Sequence, residues 1–120
     1  MAVNALKIVF LTADVDYALK SGGMTAQVRS ALAKRFGVSE EVLLRYERAQ
    51  CASSEQRRQA WIEGLARWQR SGRVGSESDR DKDFDEILSR LQNEAPEIER
   101  EYDDAVAALR AALEATTSKE

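Results

Sequence analysis

The sequence predicts two helices joined by a tight glycine turn at residues 25–46, which read TAQVRSALAKRFGVSEEVLLRY. Thr25 is expected to cap the first helix, because a threonine hydroxyl accepts a hydrogen bond from a free amide of the first turn. Gly37 is expected to end that helix, since glycine adopts the left-handed backbone conformation at little cost. Ser39 is then expected to cap the second helix, and the two glutamates that follow it suit the positive end of a helix.

The segment at residues 12–51 resembles the helix-turn-helix family of DNA-binding proteins, especially bacterial repressors and the DNA-binding domains of site-specific recombinases. In that family a small residue lies where two helices cross, a glycine makes the turn, and apolar residues hold the second helix on the first. Ala33 matches the small residue and Gly37 matches the glycine. The apolar positions are matched by Val38, Leu43 and Tyr46.

The resemblance implies that the second helix reads duplex DNA and that neighbouring basic residues contact phosphates. The residues expected to read DNA are Ser39, Leu44, Arg45 and Arg48, and those expected to contact phosphates are Lys34, Arg35, Arg57 and Arg58. Glu40 and Glu41 depart from the family, because their carboxylates occupy positions that normally face bases and phosphates. The same residues also fit a plain helical hairpin, in which these glutamates only stabilise the start of their own helix.

Upstream of this segment the sequence predicts an extended element and a short helix. Asn4–Leu11 is rich in β-branched and aromatic residues, which predicts a short strand or an apolar arm. A first helix is expected to begin at Thr12 or Asp14 and to end near Lys20.

Downstream of the hairpin the sequence predicts three more helices and a linker. One helix is expected to begin at Ser53 or Ser54 and to end near Arg70. The polar, glycine-containing residues 71–83 predict an exposed linker. Two helices are expected after it, the second beginning at Pro96. The helix that ends near Arg70 is expected to bury one face formed by Trp61, Leu65 and Trp68.

Together these elements predict a mainly α protein. The expected architecture is a compact bundle of about five to six helices, with a helix-turn-helix-like unit and a short N-terminal strand or arm. Residues 1–73 are expected to form the arm and the helix-turn-helix-like helical domain. Residues 74–120 are expected to form an acidic linker and a helical hairpin for dimerisation or docking. A homodimer is expected through the C-terminal helices or through the N-terminal arm.

Charge is strongly divided along the chain, although the net charge is only −3. Residues 20–73 carry eleven basic and five acidic residues, whereas residues 74–120 carry six basic and fourteen acidic residues. Such a division indicates an anionic partner for the basic part or a cationic partner for the acidic part. The two parts can equally dock on each other.

Composition argues against several classes of function. The chain has no histidine and a single cysteine, Cys51. The commonest general base is therefore missing, and so are the ligand sets typical of zinc. No glycine-rich phosphate loop is present, so we expect a non-enzymatic protein with no metal or cofactor. The lone cysteine favours the cytoplasm, and the longest apolar run, Ile8–Leu11, is too short to cross a membrane.

Two functions fit these patterns. The first is a small cytoplasmic regulator of transcription, of bacterial or phage type, that binds duplex DNA as a dimer. The second is a protein-binding inhibitor or adaptor of the kind carried by phages and mobile elements, whose acidic helices cover a basic surface on a partner protein. The residues expected to touch that partner are Asp81, Asp83, Glu97, Glu99 and Asp103.

Overall fold

Helices form all the secondary structure in the part of the chain that this computed structural model describes, residues 2–70 and 77–118. They are α1 (Ala2–Lys20), α2 (Ala26–Phe36), α3 (Glu40–Arg70), α4 (Glu77–Glu94) and α5 (Pro96–Ser118). The predicted all-α class is therefore confirmed for these residues, and five helices account for them.

Capping hydrogen bonds confirm the predicted ends of α2 and the predicted start of α3. The backbone amide of Val28 donates to Thr25 Oγ1 at 3.1 Å, and Gly37 follows α2 with a φ of 71°. The backbone amide of Val42 donates to Ser39 Oγ at 3.2 Å. Because each cap uses residues within one turn of a helix end, local sequence is enough to determine where these helices begin and end.

The predicted N-terminal strand or extended arm is wrong, because Ala2–Lys20 forms one helix. Ile8, Leu11 and Val15 are buried at helical spacing, whereas a lone strand would have no neighbour for its backbone hydrogen bonds. The predicted helix start near Thr12 is wrong as well. Thr12 Oγ1 donates to the carbonyl oxygen of Ile8 at 2.9 Å, one turn back inside the helix. Burial of the apolar side chains thus outweighs the β-propensity of this segment.

The two helices predicted between residues 40 and 70 are one continuous helix of 31 residues, α3. Ser53 is buried and Ser54 is exposed within it, so neither residue begins a new helix. No glycine or proline occurs between Val38 and Glu63, and the helix therefore has no residue at which its backbone hydrogen bonds must break.

Helix α4 begins earlier than predicted, because residues 77–83 of the expected linker are helical. The rest of the predicted linker, residues 71–76, lies outside the described residues. Helix α5 begins at Pro96 as predicted, with two glutamates in its first turn.

The chain packs as two compact units. Unit 1 consists of Met1–Ala49 and Tyr102–Glu120, and unit 2 of Gln50–Glu101, so α3 and α5 each contribute to both. The predicted domains, residues 1–73 and 74–120, do not coincide with these two units, and that division stays a prediction. The core of unit 1 draws on α1, α2, α3 and α5, and it contains Ile8, Leu11, Val15, Ala33, Val38, Leu43, Tyr46, Ala49, Ala105, Leu109 and Leu113.

Unit 2 packs the second part of α3 against α4. Ile87 is 1% exposed, and the rings of Trp61 and Phe84 meet edge to face with their centroids 5.4 Å apart. The predicted buried face of α3 is only partly correct. Leu65 and Trp68 are half-buried, but Trp61 is 37% exposed. Unit 2 therefore has a smaller core than the spacing of its tryptophans indicates.

Candidate nucleic-acid interface

The α2–α3 hairpin is held together by the residues on which the family resemblance depends. Ala33, Val38, Leu43 and Tyr46 are each at most 8% exposed. The backbone amide of Val38 donates to the carbonyl oxygen of Ala33 at 3.0 Å, across the glycine turn. All four residues belong to one apolar cluster with side chains of α1 and α5, so the core of unit 1 fixes how α3 leaves the turn.

An ion pair joins α2 to α3 beside this cluster. Arg29 Nε lies 2.6 Å from Glu47 Oε2, and Arg29 Nη2 lies 2.8 Å from Glu47 Oε1, so the contact is bidentate. The side chains of Arg29 and Glu47 are 20% and 6% exposed. The hydrogen bonds to Glu47 raise the pKa of Arg29 above its usual value. A bidentate contact fixes orientation as well as distance, and we expect it to hold the start of α3 at one rotation about its axis.

A second polar contact joins α3 to α1. Tyr46 Oη donates to Asp16 Oδ1 at 3.0 Å, and the ring centroid of Tyr46 lies 6.0 Å from that of Tyr102 in α5. Burial raises the pKa of the Asp16 carboxyl, and the hydrogen bond from Tyr46 and the charge of Lys20 offset only part of that effect. Burial, chiefly, also raises the pKa of the Tyr46 hydroxyl. Tyr46 therefore remains a hydrogen-bond donor near neutral pH.

The outer side of α3 carries most of the residues expected to read DNA. Arg45 and Arg48 are exposed about one helical turn apart, and Leu44 beside them is half-buried. Ser39 is exposed, but its Oγ already accepts the capping hydrogen bond of α3. The two glutamates of the first turn are also exposed. At about 100° per residue, Glu41 falls between Arg45 and Arg48 around the helix. Glu40 falls towards Glu47 instead, and its charge also raises the pKa of Arg29. This side of α3 thus presents two guanidinium groups and one carboxylate.

Two more basic residues lie at the end of α2. Lys34 and Arg35 are exposed. Arg35 Nη1 lies 3.6 Å from Asp14 Oδ2, and the Arg35 guanidinium lies 5.5 Å from the centroid of the Phe36 ring. The Arg35 side chain is 73% exposed, so this ion pair holds it only weakly. Since the three residues 37–39 are all that separates α2 from α3, the hairpin carries these two cations and the two arginines of α3 in one unit.

The other two expected phosphate contacts lie outside unit 1. Arg57 and Arg58 are exposed on α3, but both belong to unit 2. Arg58 Nη1 also lies 3.4 Å from Glu55 Oε1, about one turn earlier on the same helix. The role of these two arginines stays a prediction, and the candidate interface consists of residues of unit 1.

The acidic residues expected to bind a partner protein are divided between the two units. Asp81, Asp83, Glu97 and Glu99 belong to unit 2, whereas Asp103 belongs to unit 1. The exposed members of the set are Asp81, Glu97 and Asp103, and the half-buried members are Asp83 and Glu99. Asp83 Oδ1 lies 3.7 Å from Arg67 Nη1, so this carboxylate already faces a cation of its own unit.

Ion pairs between α3 and α4 account for part of the charge division along the sequence. Arg67 Nη1 also lies 3.5 Å from Glu86 Oε2, and Arg90 Nη2 lies 2.6 Å from Glu63 Oε2. Unit 2 contains nine basic and twelve acidic residues, and unit 1 contains nine of each. The separation of charge along the chain is therefore much smaller between the folded units, because basic and acidic segments pack on each other within unit 2.

Sequence reasoning missed the ion pair of Glu47 and the hydrogen bond of Tyr46. A signal for the first was present: Glu47 lies four residues after Leu43, on the apolar side of its helix, where a carboxylate needs a partner. A buried tyrosine hydroxyl needs a partner for the same reason. The partners themselves, Arg29 and Asp16, lie on other helices and could not be chosen from the sequence.

Comparison with known proteins identified no related protein. No family model matches the sequence, and no curated protein or solved structure matches it either. In the described ranges, no group of three or more histidine, cysteine, aspartate or glutamate side chains could hold a metal ion. None of the helices described above is both long enough and apolar enough to cross a membrane. The hairpin must therefore be interpreted from its own residues.

Proposed function

We propose that the α2–α3 hairpin binds duplex DNA and that the protein is a small DNA-binding regulator without enzymatic activity. The observation that carries the proposal is the division of residues around α3. Leu43 and Tyr46 are buried in the core of unit 1, while Arg45 and Arg48 are exposed on the same helix. Helix-turn-helix proteins present a helix to the major groove from such a support.

Each basic residue has a distinct part in this proposal. Arg45 and Arg48 contact base edges and the adjacent phosphates, because a guanidinium donates two parallel hydrogen bonds to guanine or to a phosphate group. Lys34 and Arg35 contact the phosphate backbone and set the register of the hairpin on the duplex. The ion pair of Glu47 preserves the rotation of α3 and thereby the direction in which the two reading arginines point.

The two exposed glutamates of α3 lower affinity and restrict the choice of site. A carboxylate close to phosphates is repelled by them, but it accepts a hydrogen bond from the amino group of cytosine. We therefore expect Glu40→Gln combined with Glu41→Gln to tighten binding to duplex of any sequence, by about tenfold at low salt. The same variant should discriminate less well between sequences.

The proposal is tested by fluorescence anisotropy with a short duplex of mixed sequence and by selection from a randomised duplex pool. Arg45→Ala combined with Arg48→Ala should lower affinity by about 30-fold or more and reduce the slope of log K against log salt by about 2. The matched control is Lys20→Ala combined with Arg110→Ala, which removes the same charge from exposed residues of unit 1 outside the hairpin. We expect that control to bind almost as well as the unaltered protein.

Two results would refute the proposal. One is an unaltered protein that binds neither the mixed duplex nor any member of the pool at low salt. The other is an equal loss of affinity in the two double variants, because total charge and not the outer side of α3 would then explain binding. Circular dichroism of each variant establishes that it retains its helices.

A further inference from the structure

Helix α1 is apolar on two opposite sides. Its inner side lies in the core of unit 1, where Ile8, Leu11 and Val15 are at most 7% exposed. Its outer side carries four large apolar side chains that are 55–74% exposed: Leu6, Val9, Phe10 and Tyr17. Successive helical residues are about 100° apart, so Leu6, Phe10, Ala13 and Tyr17 fall within about 60° of one another. We call these last four residues the outer stripe; Val9 borders it.

The outer side of α1 is the main apolar surface among the described residues. Seven large apolar side chains are exposed among the described residues, and four of these seven lie on the outer side of α1. The other three are Val28, Trp61 and Ile62, at 37%, 37% and 52% exposure. A helix that is apolar all round is normally buried, and a contiguous exposed apolar patch is typical of an interaction site. The outer stripe therefore needs a partner.

We infer that the outer stripe binds the outer stripe of a second copy of this chain, with the two α1 helices antiparallel. A two-fold axis between residues 11 and 12 places Phe10 across from Ala13 of the second copy and Leu6 across from Tyr17 of the second copy. A large side chain then meets a small one at the centre of the contact, which is how helices approach closely. A parallel pair would place Ala13 against Ala13 and leave a gap.

Charges beside the outer stripe also fit a second copy. Lys7 and Asp14 lie on the same flank of α1, because seven residues are close to two full helical turns. In an antiparallel pair this flank faces the same flank of the other helix, so Lys7 lies near Asp14 of the second copy and Asp14 near Lys7. Arg35 already lies 3.6 Å from Asp14, but the Asp14 side chain is 40% exposed and can accept a second donor.

The exposed area indicates a weak dimer. The four large outer side chains expose on the order of 400 Å² of apolar surface in each copy, since a large aromatic side chain buries about 150–250 Å² when fully covered. Two copies together would bury about 800–1,000 Å², which is below the range of about 1,200–2,000 Å² for stable interfaces. We therefore expect a Kd on the order of 10–100 µM.

Sedimentation analysis of the full chain over a wide concentration range tests this dimer. Phe10→Glu should raise the Kd by tenfold or more, to about 0.1–1 mM or above, because it places a carboxylate at the centre of the contact. The control is Val28→Glu, which adds the same charge at an exposed valine of α2 and should leave the Kd unchanged. If Phe10→Glu loses its helical circular dichroism signal, Tyr17→Lys replaces it in the test. Tyr17 is the most exposed of these side chains, so its substitution should disturb the fold least.

Charge reversal tests the orientation. Lys7→Glu and Asp14→Lys should each weaken the dimer severalfold, because each places like charges across the contact. The combined variant restores opposite charges and should return the Kd to within about threefold of the original value. Within one helix the two residues are about two turns apart, so restoration requires a contact between copies.

Three results would overturn the inference. A monomeric unaltered chain at about 500 µM would do so, and the outer stripe would then be a docking surface for a different protein. If neither Phe10→Glu nor Tyr17→Lys changed the Kd of the dimer, the contact between copies would lie outside the outer stripe. A combined charge variant weaker than either single variant would exclude the antiparallel pair. DNA is absent from all these measurements, so their outcome is independent of the proposed function.

Discussion

Unit 1 and unit 2 share two helices, but different forces hold them. In unit 1, side chains of α1, α2, α3 and α5 meet in one apolar cluster, where Tyr46, Leu43 and Leu109 are at most 1% exposed. Among the largest fully buried side chains of the described residues, Ile87 alone belongs to unit 2. Unit 2 relies more on ion pairs between α3 and α4, such as that of Arg67, whose side chain is 41% exposed.

This difference indicates which unit contributes more to the free energy of unfolding. Burial of a large apolar side chain contributes about 1.5–3 kcal/mol, whereas an exposed ion pair contributes about 0–1 kcal/mol and is screened by salt. Unit 1 also carries the proposed DNA-binding hairpin and the outer stripe. We therefore expect the functional surfaces to lie on the more stable unit and unit 2 to open first when the protein is stressed.

The largest expected effect comes from removing a core side chain of unit 1. Leu43→Ala should lower the free energy of unfolding by about 3 kcal/mol, because it leaves a cavity in the apolar cluster. Leu91→Ala removes the same atoms from a half-buried position of unit 2 and should cost about 1 kcal/mol. Urea denaturation measures both. Equal losses in the two variants would show that the apolar cores of unit 1 and unit 2 contribute equally to the free energy of unfolding.

The next effect separates a buried ion pair from an exposed one. Glu47→Ala leaves the Arg29 guanidinium without its carboxylate and should lower the free energy of unfolding by about 2–3 kcal/mol. This is less than the roughly 3–5 kcal/mol expected for a fully buried pair, because the Arg29 side chain is 20% exposed. Glu63→Ala removes the partner of Arg90 in unit 2 and should cost less than about 1 kcal/mol. Unfolding at low and high salt distinguishes them, since salt should erase only the second loss. A salt-sensitive loss in Glu47→Ala would contradict the comparison.

The smallest effect concerns pH and arises in unit 1. The folded pKa of Asp16 is raised above its ordinary value of 3.8, so the protonated form favours folding. This contribution is fully present below about pH 3.8 and is lost as the pH rises through the folded pKa. Asp16→Asn keeps an acceptor for Tyr46 Oη and removes the titration. Its Tm should therefore exceed that of the unaltered protein at pH 7, and the difference should vanish near pH 3.

An aspartate-to-asparagine substitution at an exposed site is the control for the Tm of Asp16→Asn. Asp81→Asn removes one negative charge from an exposed residue of unit 2, so it controls for the change in net charge. We expect its effect on Tm to be smaller than that of Asp16→Asn at pH 7. A decrease in the Tm of Asp16→Asn at pH 7 would show that the charged carboxylate stabilises unit 1.

Local features of the sequence were enough to predict the hairpin. Thr25, Gly37 and Ser39 act within one turn of a helix end, so their effect does not depend on the rest of the fold. The resemblance likewise implied that Leu43 and Tyr46 hold the second helix of the hairpin on the first, and both side chains are buried. These elements also contain most of the residues expected to bind DNA, so the hairpin that carries them was predictable, while their role in binding stays a prediction.

Other features depend on contacts that the sequence does not state. The β-branched residues before Thr12 indicate a strand by propensity, but the apolar core of unit 1 selects a helix for them. Ser53 resembles a helix start when it is considered alone, yet it lies in the interior of α3 because nothing interrupts the backbone there. The partner of Glu47 is 18 residues away on another helix, and only the packed structure identifies it.

The order of the chain through the two units has a consequence for biosynthesis. Unit 2 is one continuous segment, whereas unit 1 needs Met1–Ala49 together with Tyr102–Glu120. A ribosome therefore completes Gln50–Glu101 before it has made Ala105, Leu109 and Leu113, which fill the core around α1. Until α5 is made, the inner side of α1 can pack only on α2 and α3, so part of its apolar surface stays uncovered. Chaperone binding to nascent chains, mapped by length, should accordingly persist until α5 has emerged and should fall sharply at that point.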